Sequence, residues 1–437
     1  MKVPNWAKVS KIGIREYIAV FCITVFLAVA LLAVAAFLPQ TVIANHVVDS
    51  LWVLEHDIQN IYLFDGSEAS RLDVNTDFMI LRTSLSTSDK YLGSILTNPV
   101  YSYETSEDWE GTVDTIAQLC YDFPADDVWY YARYWMGFRA MMRLALTFFN
   151  YAQLKRYISF LFLGFFIAAI CSVAKHANSK LAFLFGLSIL LVRPHVMATS
   201  MQLTNCFFLA FAAMLLIPWL HRHGKWEGIF FMELGMLTMY FDFYTVPLVT
   251  LGFPLLYLCI LKREETMAFS WKNLFRNMTA WFMGYGFMWV AKLALTTMLT
   301  SVNAFSQGFG SFFSRVGIQK DPELTQFYSV EAAFEGVKNA IFSDETGMVV
   351  YLLGAGIIVT VVLYKGMRSR TLPQGFRGAA PYLLFAVLPL VWFVITKQPV
   401  AIHAYFQYRA IALTHWAAGV FLYYLLPAKN REITTIE

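Results

Sequence analysis

Residues 71–81 read R-L-D-V-N-T-D-F-M-I-L and place two carboxylates four positions apart. On a helix, Asp73 and Asp77 would share one face. Near a membrane surface such acids can take a proton from an attacking hydroxyl. They can also hold a divalent ion, Mg or Mn, together with water and phosphate. The apolar run 78–81 directly behind Asp77 marks a segment packed on a membrane domain. Asp77 is therefore the leading candidate for a general base, with Asp73 next. The plain alternative is a solvated pair of loop acids, with Asp73 as a helix N-cap.

A second segment, Y-F-D-F-Y-T-V-P at 240–247, sets Asp242 between two apolar stretches. An ionised group there is costly and reads as functional; the alternative is that Asp242 or Thr245 caps the next helix. A third, H-A-Y-F-Q-Y-R at 403–409, offers His403 and Arg409, and L-V-R-P-H offers Arg193 and His195. The guanidinium fork suits phosphate, although Arg and Tyr also gather at membrane interfaces as anchors. Lys292 lies in an apolar stretch and is expected to snorkel. His46 and His56 have no partner at metal-ligand spacing. Asn277-Met-Thr is formally a glycosylation sequon. No Walker motif, GxSxG or dinucleotide fingerprint occurs.

The elements that must position these residues are membrane spans. The chain has 437 residues, of which 58% are hydrophobic, 17% aromatic and only 14% charged. A soluble domain usually carries about 25% charged residues, so lipid must be the solvent for most of this surface. The net charge of +3 and the lack of a Lys/Arg run exclude a nucleic-acid binder. Of the five cysteines only Cys120 lies in a polar region, and no CxxC occurs, so neither a disulfide framework nor a thiolate metal site is expected.

Ten stretches are apolar enough for spans: 17–38, 154–174, 180–193, 199–220, 227–241, 244–261, 275–298, 346–365, 379–396 and 407–426. The run 18–38 is longer than a signal-peptide core and no clear cleavage site closes it, so it reads as a retained span. Every second loop is basic, from Lys2, Lys8, Lys11 and Arg15 to Lys429 and Arg431. Those loops are cytoplasmic by the positive-inside rule, which places both termini inside. Two outer segments are long, 39–153 and 299–345; 427–437 forms a cytoplasmic tail. At the end of the first, Val128, Tyr131, Trp135, Phe138, Met142, Ala145 and Phe149 repeat every three or four positions. This predicts an amphipathic interfacial helix over 128–149. Arg139 and Arg143 lie on another of its faces and join Asp242, His403, Arg409, Arg193 and His195 as candidates for holding substrate.

The spans were oriented without these polar groups, yet Asp73, Asp77, Arg193, His195, Asp242, His403 and Arg409 all fall on the outer side. Acids and cations facing a bilayer suit chemistry on a lipid-linked phosphate. The order of parts, namely one span, a large outer loop with an early acidic motif, a juxtamembrane helix and many short-looped spans, resembles the GT-C superfamily of integral-membrane glycosyltransferases. The segments L-D-V-N-T-D-F-M-I-L, Y-A-R-Y-W-M-G-F-R, G-M-L-T-M-Y-F-D-F-Y-T-V-P-L-V-T-L-G-F-P-L and H-A-Y-F-Q-Y-R are similar to bacterial membrane proteins of that type, which are associated with cell-surface glycan assembly. The likeness covers nearly the whole chain. It implies an all-α GT-C-like fold in a bacterial cytoplasmic membrane and a polyprenyl-phosphate sugar donor. It also implies a glycan or glycolipid acceptor and inversion by an acid of the first outer loop. That role carries over to Asp77 best and Asp73 next. Two features depart from the pattern: the acidic motif lies well after the first span, and no large soluble C-terminal domain is present.

Two other functions compete. A lipid-linked glycan transporter or flippase should show inverted repeats and mid-span charges, and Lys292 is the single mid-span charge read here. A polymerase or ligase of the O-antigen type should carry cations in a late outer loop, where Arg315, Lys320 and Lys338 stand.

Overall fold

The computed structural model describes residues 12–425, apart from 64–66, 87–91, 106–108, 243, 267–268, 320, 343–347, 350, 352–375 and 377. The described chain is mostly helical. Its longer helices, in order, are α1 (Ile14–Ala36), α2 (Val74–Leu85), α3 (Trp109–Cys120), α4 (Tyr151–His176), α5 (Ser179–Leu190), α6 (Met201–Arg222) and α7 (Glu227–Phe241). They continue with α8 (Leu248–Thr266), α9 (Trp271–Leu299), α10 (Ala304–Arg315), α11 (Val330–Phe342), α12 (Leu383–Ile395) and α13 (Ile411–Leu425). Among the described residues, four stretches are long and apolar enough to cross a membrane: Ile14–Ala36, Tyr151–His176, Thr204–Arg222 and Trp271–Leu299. Ser179–Leu190 and Ala380–Ile395 are apolar but shorter. Nine of the ten stretches expected from the sequence overlap a helix; most of the stretch 346–365 lies outside the described residues, as do the tail 427–437 and Lys320.

Aromatic side chains interlock the bundle. Phe162 and Phe166 of α4, Phe185 of α5, Phe207 and Phe211 of α6, Phe253 of α8 and Trp416 of α13 are buried together. Phe166 and Phe211 stack with centroids 5.7 Å apart, and Phe185 meets Trp416 at 4.9 Å. The most extensive helix contact joins α7 to α9, and two glycines permit it. A Cβ at Gly235 would run into the Trp281 carbonyl, and a Cβ at Gly284 into the Met232 carbonyl. Small residues let helix backbones approach this closely in lipid, where no hydrophobic force drives helices together. At the start of α7, Glu227 is buried and binds Lys262 Nζ at 2.6 Å and Arg276 Nη2 at 2.5 Å. Asn277 Nδ2 also donates to Glu227, at 3.1 Å, so the sequon amide is engaged between helices.

The stretch 128–149 is not one helix. Asp127–Tyr130 is a strand paired antiparallel with Pro99–Ser102, and only Phe138–Leu146 is helical. The run Val-Trp-Tyr-Tyr has high strand propensity and finds a partner edge, and this overrides a three–four spacing that extends unbroken across both elements. The segment between them docks on the end of α7. Gly137 N donates to Tyr240 O at 2.8 Å, Trp135 Nε1 donates to Met288 O at 2.8 Å, and a Cβ at Gly137 would strike the Tyr240 ring.

Candidate functional site

The end of α7 opposite Glu227 opens on a cavity of about 590 Å³. Its walls come from five places in the chain. Thr76 and Met79 belong to α2, Tyr131 and Arg133 follow the second strand, and Tyr244 and Thr245 lie in the α7–α8 turn. Gln307, Gly310, Ser311, Ser314 and Arg315 form one face of α10, and 398–407 closes the cavity with Gln398, His403 and Gln407. All five are segments that the charge alternation assigns to one side of the membrane.

Three aromatic rings hold the two guanidiniums. Tyr131, Tyr134 and Tyr244 form a row with centroid spacings of 5.1 and 5.8 Å. The Arg133 Cζ lies 4.0 Å from the Tyr131 ring centre and 5.2 Å from that of Tyr134. The Arg315 Cζ lies 5.5 Å from the Tyr134 centre and 4.5 Å from that of Tyr244, and Arg315 Nη2 donates to the Tyr134 hydroxyl. Stacking of this kind fixes the plane of the fork and leaves N–H edges for a ligand. Tyr244 itself has φ of +66°, a strained conformation for a bulky residue. Gln407 Nε2 donates to Tyr244 O at 3.0 Å and holds it there. The buried Gln407 Oε1 has no hydrogen-bond partner among the described residues.

His403 is half-buried, and its ring stacks on Phe406 at 5.3 Å. Burial pushes its pKa below the ordinary 6.5; Asp73 opposes this, and Arg315 and Arg71 add to it. The imidazole is therefore held toward the neutral form, which can accept a proton. Asp73 is buried behind this wall. Its Oδ1 accepts from Thr76 N at 3.3 Å, capping α2, and from Tyr405 Oη at 3.1 Å. Its buried Oδ2 has no partner among the described residues.

The other nominated residues fall elsewhere. Asp77 is buried and accepts from Ser200 Oγ and Met201 N, both at 3.2 Å, so it caps α6 from another element. Asp242 accepts from Thr245 N at 3.1 Å and from the Thr245 hydroxyl. It stands one residue behind the cavity wall, of which Thr245 is a part. Arg409 is buried; it donates to Ala69 O at 3.0 Å and to Tyr405 O. Arg193 has φ of +57° and donates to Ser67 Oγ at 2.8 Å. His195 is pushed below 6.5 by burial, and Arg193 and Arg409 add to this.

Arg139 and Arg143 depart furthest from expectation. They are not headgroup residues but lie fully inside the protein. Arg143 donates to Ala35 O at 2.8 Å, Gln40 Oε1 at 2.8 Å, Ser84 O at 2.7 Å and Leu38 O at 3.2 Å. Arg139 Nη2 donates to Ile95 O at 2.9 Å. Lys292 does not snorkel either: it is buried and donates to Leu96 O. These cations satisfy backbone carbonyls at helix ends, the short helix Leu92–Thr97 among them.

Two further residues stand outside the motifs that suggest chemistry: Arg133, which lines the cavity, and Glu233 in the middle of α7, whose carboxylate accepts from Thr24 Oγ1 at 2.8 Å. Their signals were present: Arg133 lies in an aromatic run, and Glu233 breaks an apolar one. No group of three His, Cys, Asp or Glu side chains among the described residues is arranged to hold a metal ion. The described cavity wall carries no carboxylate. No family model, curated protein or solved structure matches the chain.

Proposed function

We propose that this is an integral-membrane glycosyltransferase of GT-C-like type. It takes a sugar from a polyprenyl-phosphate-linked donor and passes it to a glycan or glycolipid hydroxyl. The reaction takes place at the extracytoplasmic face of a bacterial cytoplasmic membrane. Ten spans with both termini inside remain part of this reading. The observation that carries it is the pairing, in one cavity, of two ring-stacked arginines with a histidine held toward its neutral form. Arg133 and Arg315 suit the phosphate that leaves, and charge-assisted bonds to it strengthen as its charge grows. His403 suits the proton of the acceptor hydroxyl. Asp73, whose charge favours protonated His403, stabilises the imidazolium that results. Tyr131, Tyr244 and Phe406 line the cavity and fix Arg133, Arg315 and His403 in it. His403 with Asp73 thus takes the role first given to Asp77, which lies outside the cavity lining.

The test is transfer of a labelled sugar from a polyprenyl-phosphate donor by the purified protein in nanodiscs. His403→Ala is expected to slow transfer by about 10²–10⁴-fold, the usual contribution of a positioned general base. Unchanged turnover in that variant sinks the mechanism. A second reading, an O-antigen-type polymerase or ligase, is favoured by Arg315, which comes from the late outer loop 299–345. The acceptor decides between them: a lipid-linked glycan repeat for a polymerase, a surface glycolipid for a ligase.

A further inference from the structure

Two like charges flank one ring in this cavity. The guanidiniums of Arg133 and Arg315 lie 5.2 and 5.5 Å from the centre of Tyr134. They come from distant parts of the chain, the loop after the second strand and the end of α10. Neither forms a salt bridge with a carboxylate among the described residues. The other polar groups lining the wall are His403, amides and hydroxyls: Gln307, Gln398, Gln407, Thr76, Ser311 and Ser314 among them. One phosphodiester carries a single negative charge and leaves the second guanidinium uncompensated. A ligand with a second anionic group meets both cations of this wall.

We infer that the cavity is built for a diphosphate, so that the lipid-linked donor joins sugar to polyprenol through two phosphates. This rests on the proposed function and narrows its substrate class. Each guanidinium takes one phosphate, and the buried, unpartnered Gln407 Oε1 accepts from a sugar hydroxyl. In the transfer step the acceptor oxygen forms a bond to the anomeric carbon and gives its proton to His403. The bond from that carbon to the diphosphate oxygen breaks, and its electron pair stays with the diphosphate. The diphosphate goes from two negative charges to three, which the paired arginines hold better than one would.

The experiment measures binding of polyprenyl monophosphate and polyprenyl diphosphate, of equal chain length and without sugar, to the full protein in nanodiscs. The diphosphate is expected to bind at least about tenfold more tightly, the gain from one further charge-assisted pair. Arg133→Gln and Arg315→Gln should each bring the ratio close to unity while the protein keeps its elution volume and melting temperature. Arg315→Lys, which keeps a charge, should keep part of the preference. Equal affinity of the wild-type protein for the two lipids overturns the proposal, whatever the variants do. Preference for the diphosphate without sugar transfer from any donor leaves the diphosphate site standing and removes the glycosyltransferase reading. Transfer from a monophosphate donor with no diphosphate preference does the reverse.

Discussion

His403 stacks on Phe406 at the edge of the cavity, and burial keeps its proton affinity below the ordinary histidine value. As the proposed base it would work in its neutral form, so the rate of the proposed transfer should hold as pH falls to 6.5 and decline only below it. Asp73 is the group that raises the His403 pKa, against Arg315 and Arg71. Asp73→Asn should therefore move the acid limb of the pH–rate profile further toward acid and lower the maximum rate. A limb that stays put removes Asp73 from its positioning role. Stability follows the same sign: the folded pKa lies below the unfolded one, so protonation of His403 favours unfolding. Its contribution is intact above pH 6.5 and is lost as pH falls below that value. Asp77 is a different case. It caps α6 through Ser200 and Met201, so Asp77→Ala should cost about 1–2 kcal/mol of stability. The remaining folded protein should keep its turnover number, and comparing thermal melts with specific activity tests this. Asp73 and Asp77 were legible in the sequence as a pair on one helix. Their separate partners, Tyr405 and the start of α6, come from more than a hundred residues away. Local spacing holds no record of them.

Among the elements, the α7–α9 pair governs where the cavity forms. Tyr244 and Thr245 follow directly from the end of α7, and α10 follows directly from α9. Gly235 and Gly284 let these two helices touch backbone to backbone. Gly284→Ala and Gly235→Ala should each force the pair apart, lower the melting temperature in detergent and reduce transfer together. A variant with unchanged melting excludes that packing. The Phe138–Leu146 helix is the second anchor. Arg143 joins it to the Ala35 and Leu38 carbonyls at the end of α1 and to Ser84 of α2. Arg143→Met keeps the length and removes every donor, leaving buried carbonyls unmet at about 1–3 kcal/mol each. The expected result is a protein destabilised by about 2–5 kcal/mol. A wild-type melt for this variant would return Arg143 to the membrane interface that the residue spacing predicts.

For the whole molecule, the two ends of α7 differ in kind. One end holds Glu227 with Lys262 and Arg276, and the other holds the cavity. In the proposed topology the first faces the cytoplasm and the second the outside. Ser311→Cys lines the cavity and should react with a membrane-impermeant maleimide in intact cells. Labelling that needs permeabilised cells overturns the orientation and with it the outer-face reaction. A reporter fused after Glu437 should respond from the cytoplasm.

Composition determined, by itself, that this chain is a helical membrane protein, and charge alternation adds the expectation that its polar chemistry gathers on one side. Both are sums over many residues, and the cost of burying charge in lipid makes such sums decisive. The tertiary structure decided which polar groups meet. His403 and Arg315 were visible as types, and Arg133 was hidden in an aromatic run whose first part pairs as a strand. Only packing of the α7–α8 turn, α10 and the 398–407 segment around one set of rings selects these three for the cavity. Arg139, Arg143 and Arg409 have the same side chain and equally suggestive neighbours. They satisfy buried carbonyls instead, because an unpaired backbone acceptor in the interior is costly and a guanidinium has donors enough to meet several at once.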